Sequence, residues 1–138
     1  MAGDSGQGSL AADALHRPLV PAAVLVPIVA ADTPRLLLTT RTSTMRNHAG
    51  QVAFPGGRID SSDDGPVAAA LREAQEEVGL WPHSVEILGL SDPYRTGTGY
   101  EVRPVVGLVP PALDLRLNPD EVADAFEGHA GEQAVGAR

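Results

Sequence analysis

The chain has 138 residues, 18 acidic against 10 basic side chains for a net charge of −8, and no cysteine. That length suits one domain with one core. The acidity argues against broad attraction to nucleic acid or anionic membranes, and the absence of Cys rules out a disulfide framework, a thiolate nucleophile and a Cys-ligated zinc. The composition is compatible with a reducing cytosol, and a cytoplasmic location is expected.

Residues 1–17 hold Gly, Ser, Asp and Ala with neither a basic start nor an apolar run, so they read as a flexible lead-in and not as a secretory signal. The most apolar stretch, Val20 to Ala31, is too short to cross a bilayer. It reads as a buried strand in which Pro21 and Pro27 mark an irregularity. Asp32-Thr33-Pro34 is a turn signal and Arg35 to Thr40 a second strand, which together predict a hairpin. Polar and small residues run from Arg41 to Gly50. Val52-Ala53-Phe54 is then a short strand, with Phe54 as core packing, ended by Pro55-Gly56-Gly57, whose paired glycines permit close backbone approaches.

Asp60 to Gly65 is a polar connector whose aspartates are turn and cap residues. Pro66 suits the first helical position, Asp63 or Asp64 the N-cap and Gly79 the residue just past the end, so a helix is predicted from about Pro66 to Val78. Val67, Ala70, Leu71, Ala74 and Val78 fall on one stripe, and Glu73, Glu76 and Glu77 project away from it. Val85–Leu90 and Val102–Val109 are two further strands, joined by a loop from Asp92 to Tyr100. No internal repeat is present.

Carboxylates at i, i+3 and i+4 on an acidic helix are more often a solvated face than a site, because that spacing makes them neighbours whatever they do. Here only Arg72 lies within the helix to relieve their repulsion. A hard dication bound through oxygen would relieve it better, and Mg²⁺ takes one or two carboxylates plus substrate phosphates.

The run Gly57, Asp63, then Arg72-Glu73-Ala74-Gln75-Glu76-Glu77-Val78-Gly79-Leu80 resembles the Nudix box, G-x5-E-x7-R-E-U-x-E-E-x-G-U, where U is a bulky aliphatic residue. Asp63 replaces the first Glu, one extra residue follows it, and Ala74 is smaller than U. These departures leave the helical carboxylates in place and put in doubt any role for the connector carboxylate. Upstream, Leu37 to Gly57 resembles L-L-T-x-R-S-x3-R-x3-G-x3-F-P-G-G, the pattern of the coenzyme A pyrophosphatase branch, with Thr42 in place of Ser. The similarity covers about Val20 to Glu127. It implies an α/β fold, the Nudix α/β/α sandwich around a mixed sheet.

The resemblance also implies roles. Glu73, Glu76 and Glu77 would hold Mg²⁺ or Mn²⁺, with the Gly56 carbonyl as a further ligand. Arg72 is expected to orient Glu73 and not to touch substrate, and Arg72, Glu73 and Glu77 make up the catalytic set. Arg41 and Arg46, with Gly56 and Gly57, are expected to bind the 3′-phosphate or diphosphate of coenzyme A. His48 reads as a structural histidine beside a Gly turn, and Tyr94 and Tyr100 are candidates to stack on adenine.

Asn118 to Glu127 still follows the branch, which continues through an apolar strand and another helix; here Gly128 to Arg138 has almost no large apolar residue. Three segments are thus expected: a lead-in over 1–17, a Nudix domain over 18–127 and a divergent, disordered tail over 128–138. A truncated or frameshifted reading frame is the expected explanation of that tail, and it would leave one sheet face partly bare. Such exposure favours dimerisation or aggregation and lower stability than a full-length relative. Glu121 and Glu127 are the candidates for an additional catalytic carboxylate. The expected function is metal-dependent hydrolysis of coenzyme A or its thioesters to 3′,5′-ADP and a 4′-phosphopantetheine product. Its partner is a small-molecule substrate, with no nucleic acid and no membrane. Its rivals are another nucleoside diphosphate derivative, such as ADP-ribose or a dinucleotide, and an inactive nucleotide-binding remnant.

Overall fold

The computed structural model describes residues 18–42 and 51–129. The expectations for residues 1–17, for Arg46 and His48, and for residues 130–138 lie outside that range. In chain order the elements are β1 (Val20–Val29), β2 (Arg35–Arg41), β3 (Val52–Ala53), β4 (Gly56–Arg58), α1 (Pro66–Val78), a 3-10 turn (Pro82–Ser84), β5 (Glu86–Leu90), β6 (Tyr94–Arg95), β7 (Tyr100–Val109) and β8 (Val122–His129).

The spine of the mixed sheet is β1 paired in parallel with β7 over its whole length, from Val20 opposite Tyr100 to Val29 opposite Val109. The expected hairpin is present, but β1 and β2 pair only at Ile28–Leu36 and Val29–Arg35 before they splay apart. The segment Val52–Arg58 enters the resulting wedge. Its first half, β3, pairs with β2, and its second half, β4, pairs with β1 at Ala22, Ala23 and Val24. Leu25 donates its N–H to the Pro55 carbonyl and Arg41 donates to Gln51, while the Thr39 hydroxyl donates to the Ala53 carbonyl. The Pro-Gly-Gly loop is therefore clamped inside the sheet, which places it against whatever packs on that face.

Val20–Val29 is one strand as expected, but Pro21 and Pro27 introduce no irregularity into its pairing with β7. Odd-numbered N–H groups of this strand point away from β7, as that of Leu25 does. Pro27 falls in the gap where β4 has ended and β2 has not yet begun, so no ladder bond is forfeited. The outer edge of β2 is covered antiparallel by β8, from Arg35 opposite His129 to Arg41 opposite Val122. This strand runs past residue 127, where the domain was expected to close. β5 and β6 pair with opposite ends of β7, so the loop expected from Asp92 to Tyr100 contains a short strand.

Helix α1 lies on the face that carries Ala23, Leu25 and Val29, and its Ala69, Ala70, Ala74 and Val78 are buried against Leu37, Val105, Val109 and Val122. Val67 and Leu71, placed on the stripe by periodicity, are only partly buried at its margin. Three alanines let the helix sit close to the sheet. Gly79 closes it in the left-handed conformation at φ 71°, with Gly79 N–H donated to Gln75 and Leu80 N–H to Ala74. A Cβ at Gly79 would stand 2.8 Å from the Arg116 nitrogen. The last carbonyls are capped from outside the helix: Arg116 donates to Val78 and Asn118 to Glu77, both at 2.8 Å.

Neither expected aspartate caps the start. Gly65 is the N-cap, without a side-chain hydrogen bond, because the Asp63 carboxylate is engaged elsewhere, as shown below. Among the described residues no helix covers the other sheet face, where Val26, Ile28, Leu36, Leu38, Val106 and Leu108 are only half-buried. No described helix is long and apolar enough to cross a membrane.

Candidate active site

The wedge brings the Gly56-Gly57 backbone under the middle of α1. A Cβ on Gly57 would lie 2.6 Å from Glu73 Oε2, and one on Gly56 would lie 2.7 Å from Val24 Cα. Only glycine therefore allows the loop to touch both the strand below and the carboxylate above. Glu73 is largely enclosed, its side chain 16% exposed.

Glu77 departs from the expectation of an exposed carboxylate face. At 3% exposure it is among the few buried polar residues of the described chain. It sits one turn below Glu73, where the helix rests on the sheet and where Asn118 draws the following segment over the last turn. Burial pushes its carboxyl up to about 8; Arg41 acts in the opposite direction, and the charges of Glu73 and Glu121 and a hydrogen bond with Glu73 add to the rise. The Glu73 carboxyl is also raised, first by burial, against the lowering effect of Arg72. The two acids thus share a hydrogen bond, with Arg72 acting on Glu73 and Arg41 on Glu77 as the nearby positive charges.

Arg72 is tied chiefly to the connector. Its Nε donates to Asp63 Oδ1 at 3.0 Å and its Nη2 to Asp63 Oδ2 at 2.9 Å, a two-pronged pair of the kind a guanidinium favours. The remaining donors reach Glu73 Oε2 at 3.3 Å and Glu76 Oε1 at 3.4 Å through Nη1, and the Arg58 carbonyl at 3.2 Å through Nη2. Asp63 also accepts from the Asp60 N–H at 2.8 Å, and the Arg72 guanidinium holds its carboxyl below the usual range. The expected contact to Glu73 exists, but it is secondary. The connector carboxylate, whose role the sequence left in doubt, anchors the arginine. The signal for it was its position: Asp63 stands where the box carries its first Glu.

Glu73 and Glu77 are brought together, and Glu76 is not. Its carboxylate is 55% exposed and turned toward Arg72, and among the described residues no three acidic or histidine side chains converge as an ion site. Glu73 at the Gly57 backbone and the buried Glu77 hydrogen-bonded to it still form an oxygen donor pair of the kind a hard dication accepts, with substrate supplying further ligands. Of the other acids, Glu121 lies close enough to raise both Glu73 and Glu77. Glu127 pairs with Arg35 at 2.9 Å on the β8 edge instead.

Beside the carboxylates, on the other side of the Gly-Gly loop, lies a cavity of about 610 Å³ that includes Arg41, Phe54, Gly56, Gly57, Arg58 and Tyr94 in its lining. Phe54, expected in the core, is half-buried and lines this space between β3 and β4. Tyr100 also lines it. A second cavity of about 590 Å³, behind the C-terminus of α1, contains none of these groups.

A sequence profile described as the NUDIX domain matches residues 19–132. Over 106 residues the chain is 57% identical to an uncharacterized Nudix hydrolase NudL of Citrobacter koseri and 55% identical to that of Cronobacter sakazakii. The match covers 77% of this chain and 55% of either relative, so the chain spans little more than half their length. Among solved structures, a Nudix hydrolase from M. smegmatis, RenU, aligns with a TM-score of 0.71 at 21% identity, over 86% of this chain and 75% of that one. A C. elegans Ap4A hydrolase binary complex aligns at 0.68 and 21%, over 78% and 79%. At that identity the likeness is one of fold.

Proposed function

The chain belongs to the Nudix family, and from that premise we propose that it hydrolyses the diphosphate bond of a nucleoside diphosphate derivative, with coenzyme A or an acyl-coenzyme A as the substrate. The observation that carries this reading is the placement of Glu73 against Gly57 with the buried Glu77 hydrogen-bonded to it, and with Arg41 shared between Glu77 and the neighbouring cavity. Glu73 and Glu77, with Glu76 brought over from Arg72 and the Gly56 carbonyl, would hold Mg²⁺ or Mn²⁺, which supplies charge neutralisation at the diphosphate and a more acidic water.

The protein's own residues do the rest. Arg41 lies at the junction of the carboxylate pair and the cavity, so its guanidinium is available to the diphosphate. Arg72, fixed by Asp63, holds the Glu73 carboxylate in one orientation. The Gly56-Gly57 backbone keeps the floor of the site free of side chains. Arg46, from the Leu37–Gly57 motif, remains a proposed substrate contact on the strength of that motif alone. Coenzyme A is preferred over ADP-ribose for the same reason, supported by the two arginines of the cavity.

The test is release of 3′,5′-ADP from coenzyme A with Mg²⁺ or Mn²⁺, comparing the chain with Glu77→Gln. Product formation that the variant largely loses supports the assignment. Turnover of ADP-ribose or a dinucleotide without coenzyme A would move the substrate within the family. Metal binding without turnover of any of the three would favour the inactive remnant.

A further inference from the structure

The register of the sheet places four residues in one transverse row. Arg58 of β4 pairs with Ala22 of β1, Ala22 with Val102 of β7, and Val102 with Tyr94 of β6. Residues paired in this way point to the same side of a sheet, and all four line the 610 Å³ cavity. The side is the one opposite α1, since Gly57, one residue before Arg58, faces Glu73. The row is a trough. Its floor is the small pair Ala22 and Val102, both buried, and its rims are an arginine and a tyrosine three strand spacings apart, about 14 Å at about 4.8 Å each.

The two rims have different chemistry. Tyr94 is 51% exposed, and Tyr100 lies beside it on the same cavity wall, which offers a ring face to a planar ligand. Arg58 is exposed, and within 4 Å its side chain forms no ion pair with any described residue. Its main chain is nevertheless fixed, because its carbonyl accepts from Arg72 and its strand is clamped to β1. In a chain with net charge −8, an unpaired guanidinium on a rigid strand at the rim of a cavity is a seat for an anion. That anion is distinct from the diphosphate at Gly57 and Glu73, which lies on the far side of the loop.

We propose that Arg58 is a specificity-determining residue that binds a phosphate of the substrate lying outside the scissile diphosphate, while the base of the same nucleotide stacks at Tyr94 across the trough. The inference rests on the reading of the site as one for a nucleoside diphosphate derivative. It adds that Arg58 is the residue that reads the phosphate such a substrate carries on its nucleoside in addition to the diphosphate.

The experiment is equilibrium binding of 3′,5′-ADP and of AMP to the metal-free chain, by calorimetry, for the unaltered protein, Arg58→Ala, Arg58→Lys, Tyr94→Ala and Arg95→Ala. The expected result is that 3′,5′-ADP binds about tenfold more tightly than AMP, the size of one charge-assisted hydrogen bond. Arg58→Ala removes that preference with AMP affinity unchanged, Arg58→Lys keeps part of it, and Tyr94→Ala weakens both ligands alike. Arg95→Ala removes an equal charge from the opposite sheet face and leaves the preference intact. The proposal is overturned if the unaltered protein does not prefer 3′,5′-ADP, if Arg58→Ala retains the preference, or if that variant weakens both ligands equally. In those cases AMP binding together with coenzyme A hydrolysis leaves the broader functional reading standing. Absence of binding by either nucleotide, together with absence of hydrolysis, sinks both.

Discussion

Replacing Glu77 by Gln should stabilise the metal-free protein at neutral pH while abolishing its response to metal. The side chain is 3% exposed, and its carboxyl is raised from 4.5 to about 8. Folded Glu77 therefore keeps its proton across a range in which the unfolded chain has lost it. A group raised in this way contributes its full stability below pH 4.5 and loses it as pH climbs toward 8. At pH 7, about 2.5 above the ordinary value and at about 1.4 kcal/mol per pH unit, this is on the order of 3 to 4 kcal/mol of stability that the wild-type protein lacks relative to a permanently neutral side chain. Gln is such a side chain, and its amide can donate to Glu73 as the protonated acid does. Thermal unfolding in EDTA should show the variant on the order of 10 °C more stable than wild type at pH 7.5, with the two converging near pH 4.5. Adding Mn²⁺ should reverse the order, because the ion binds the ionised acid and stabilises only the wild type. Wild-type stability that is flat between pH 5 and 8, or a variant less stable than wild type at pH 7.5, would refute the argument that Glu77 is buried as a neutral acid.

Other substitutions separate the parts of the site. Gly57→Ala sets a methyl group 2.6 Å from Glu73 Oε2; a displacement near 1 Å at a reacting centre can cost about 100-fold in rate, so kcat should fall steeply while the thermal midpoint scarcely moves. Asp63→Asn should lower the thermal midpoint at pH 7, because the Asp63 carboxyl, held below its usual range, contributes stability above pH 3.8 that is lost only as acid titrates its folded form. The gap between this variant and wild type should close in strong acid. Glu76→Gln, at a half-exposed carboxylate, should change stability by no more than about 0.5 kcal/mol. By Mn²⁺ titration it should lose less affinity than Glu73→Gln, and an equal or larger loss would show that Glu76 swings fully into the metal shell.

Local rules read the helix well. Pro66, Gly79 and the alanine-rich stripe between them carry its boundaries, and the structure places α1 at Pro66–Val78. They failed at its N-cap and at Glu77 for one reason, which is that both depend on partners brought from elsewhere. Asp63 would cap the helix if Arg72 were not closer to ideal geometry for it. Glu77 would face solvent if Asn118 and Glu121 did not arrive over the last turn from a segment forty residues later. Pro27 misled in the opposite sense, since its missing donor matters only if a neighbouring strand needs it, and the splay of β1 from β2 is invisible in either strand's own residues.

That splay links the fold to the site. A hairpin paired along its whole length would have no room for Val52–Arg58, and the Gly-Gly loop would lie on the surface as an ordinary connection. Because β1 and β2 separate after two paired positions, the loop becomes part of the sheet on both sides. One glycine is pressed against β1 and the next against Glu73, while the residue after them, Arg58, turns to the opposite face. A three-residue strand thus presents backbone to the carboxylate pair on one side and a guanidinium to the trough on the other. The motifs upstream and downstream of Gly57 act at one place because this strand is the partition they share.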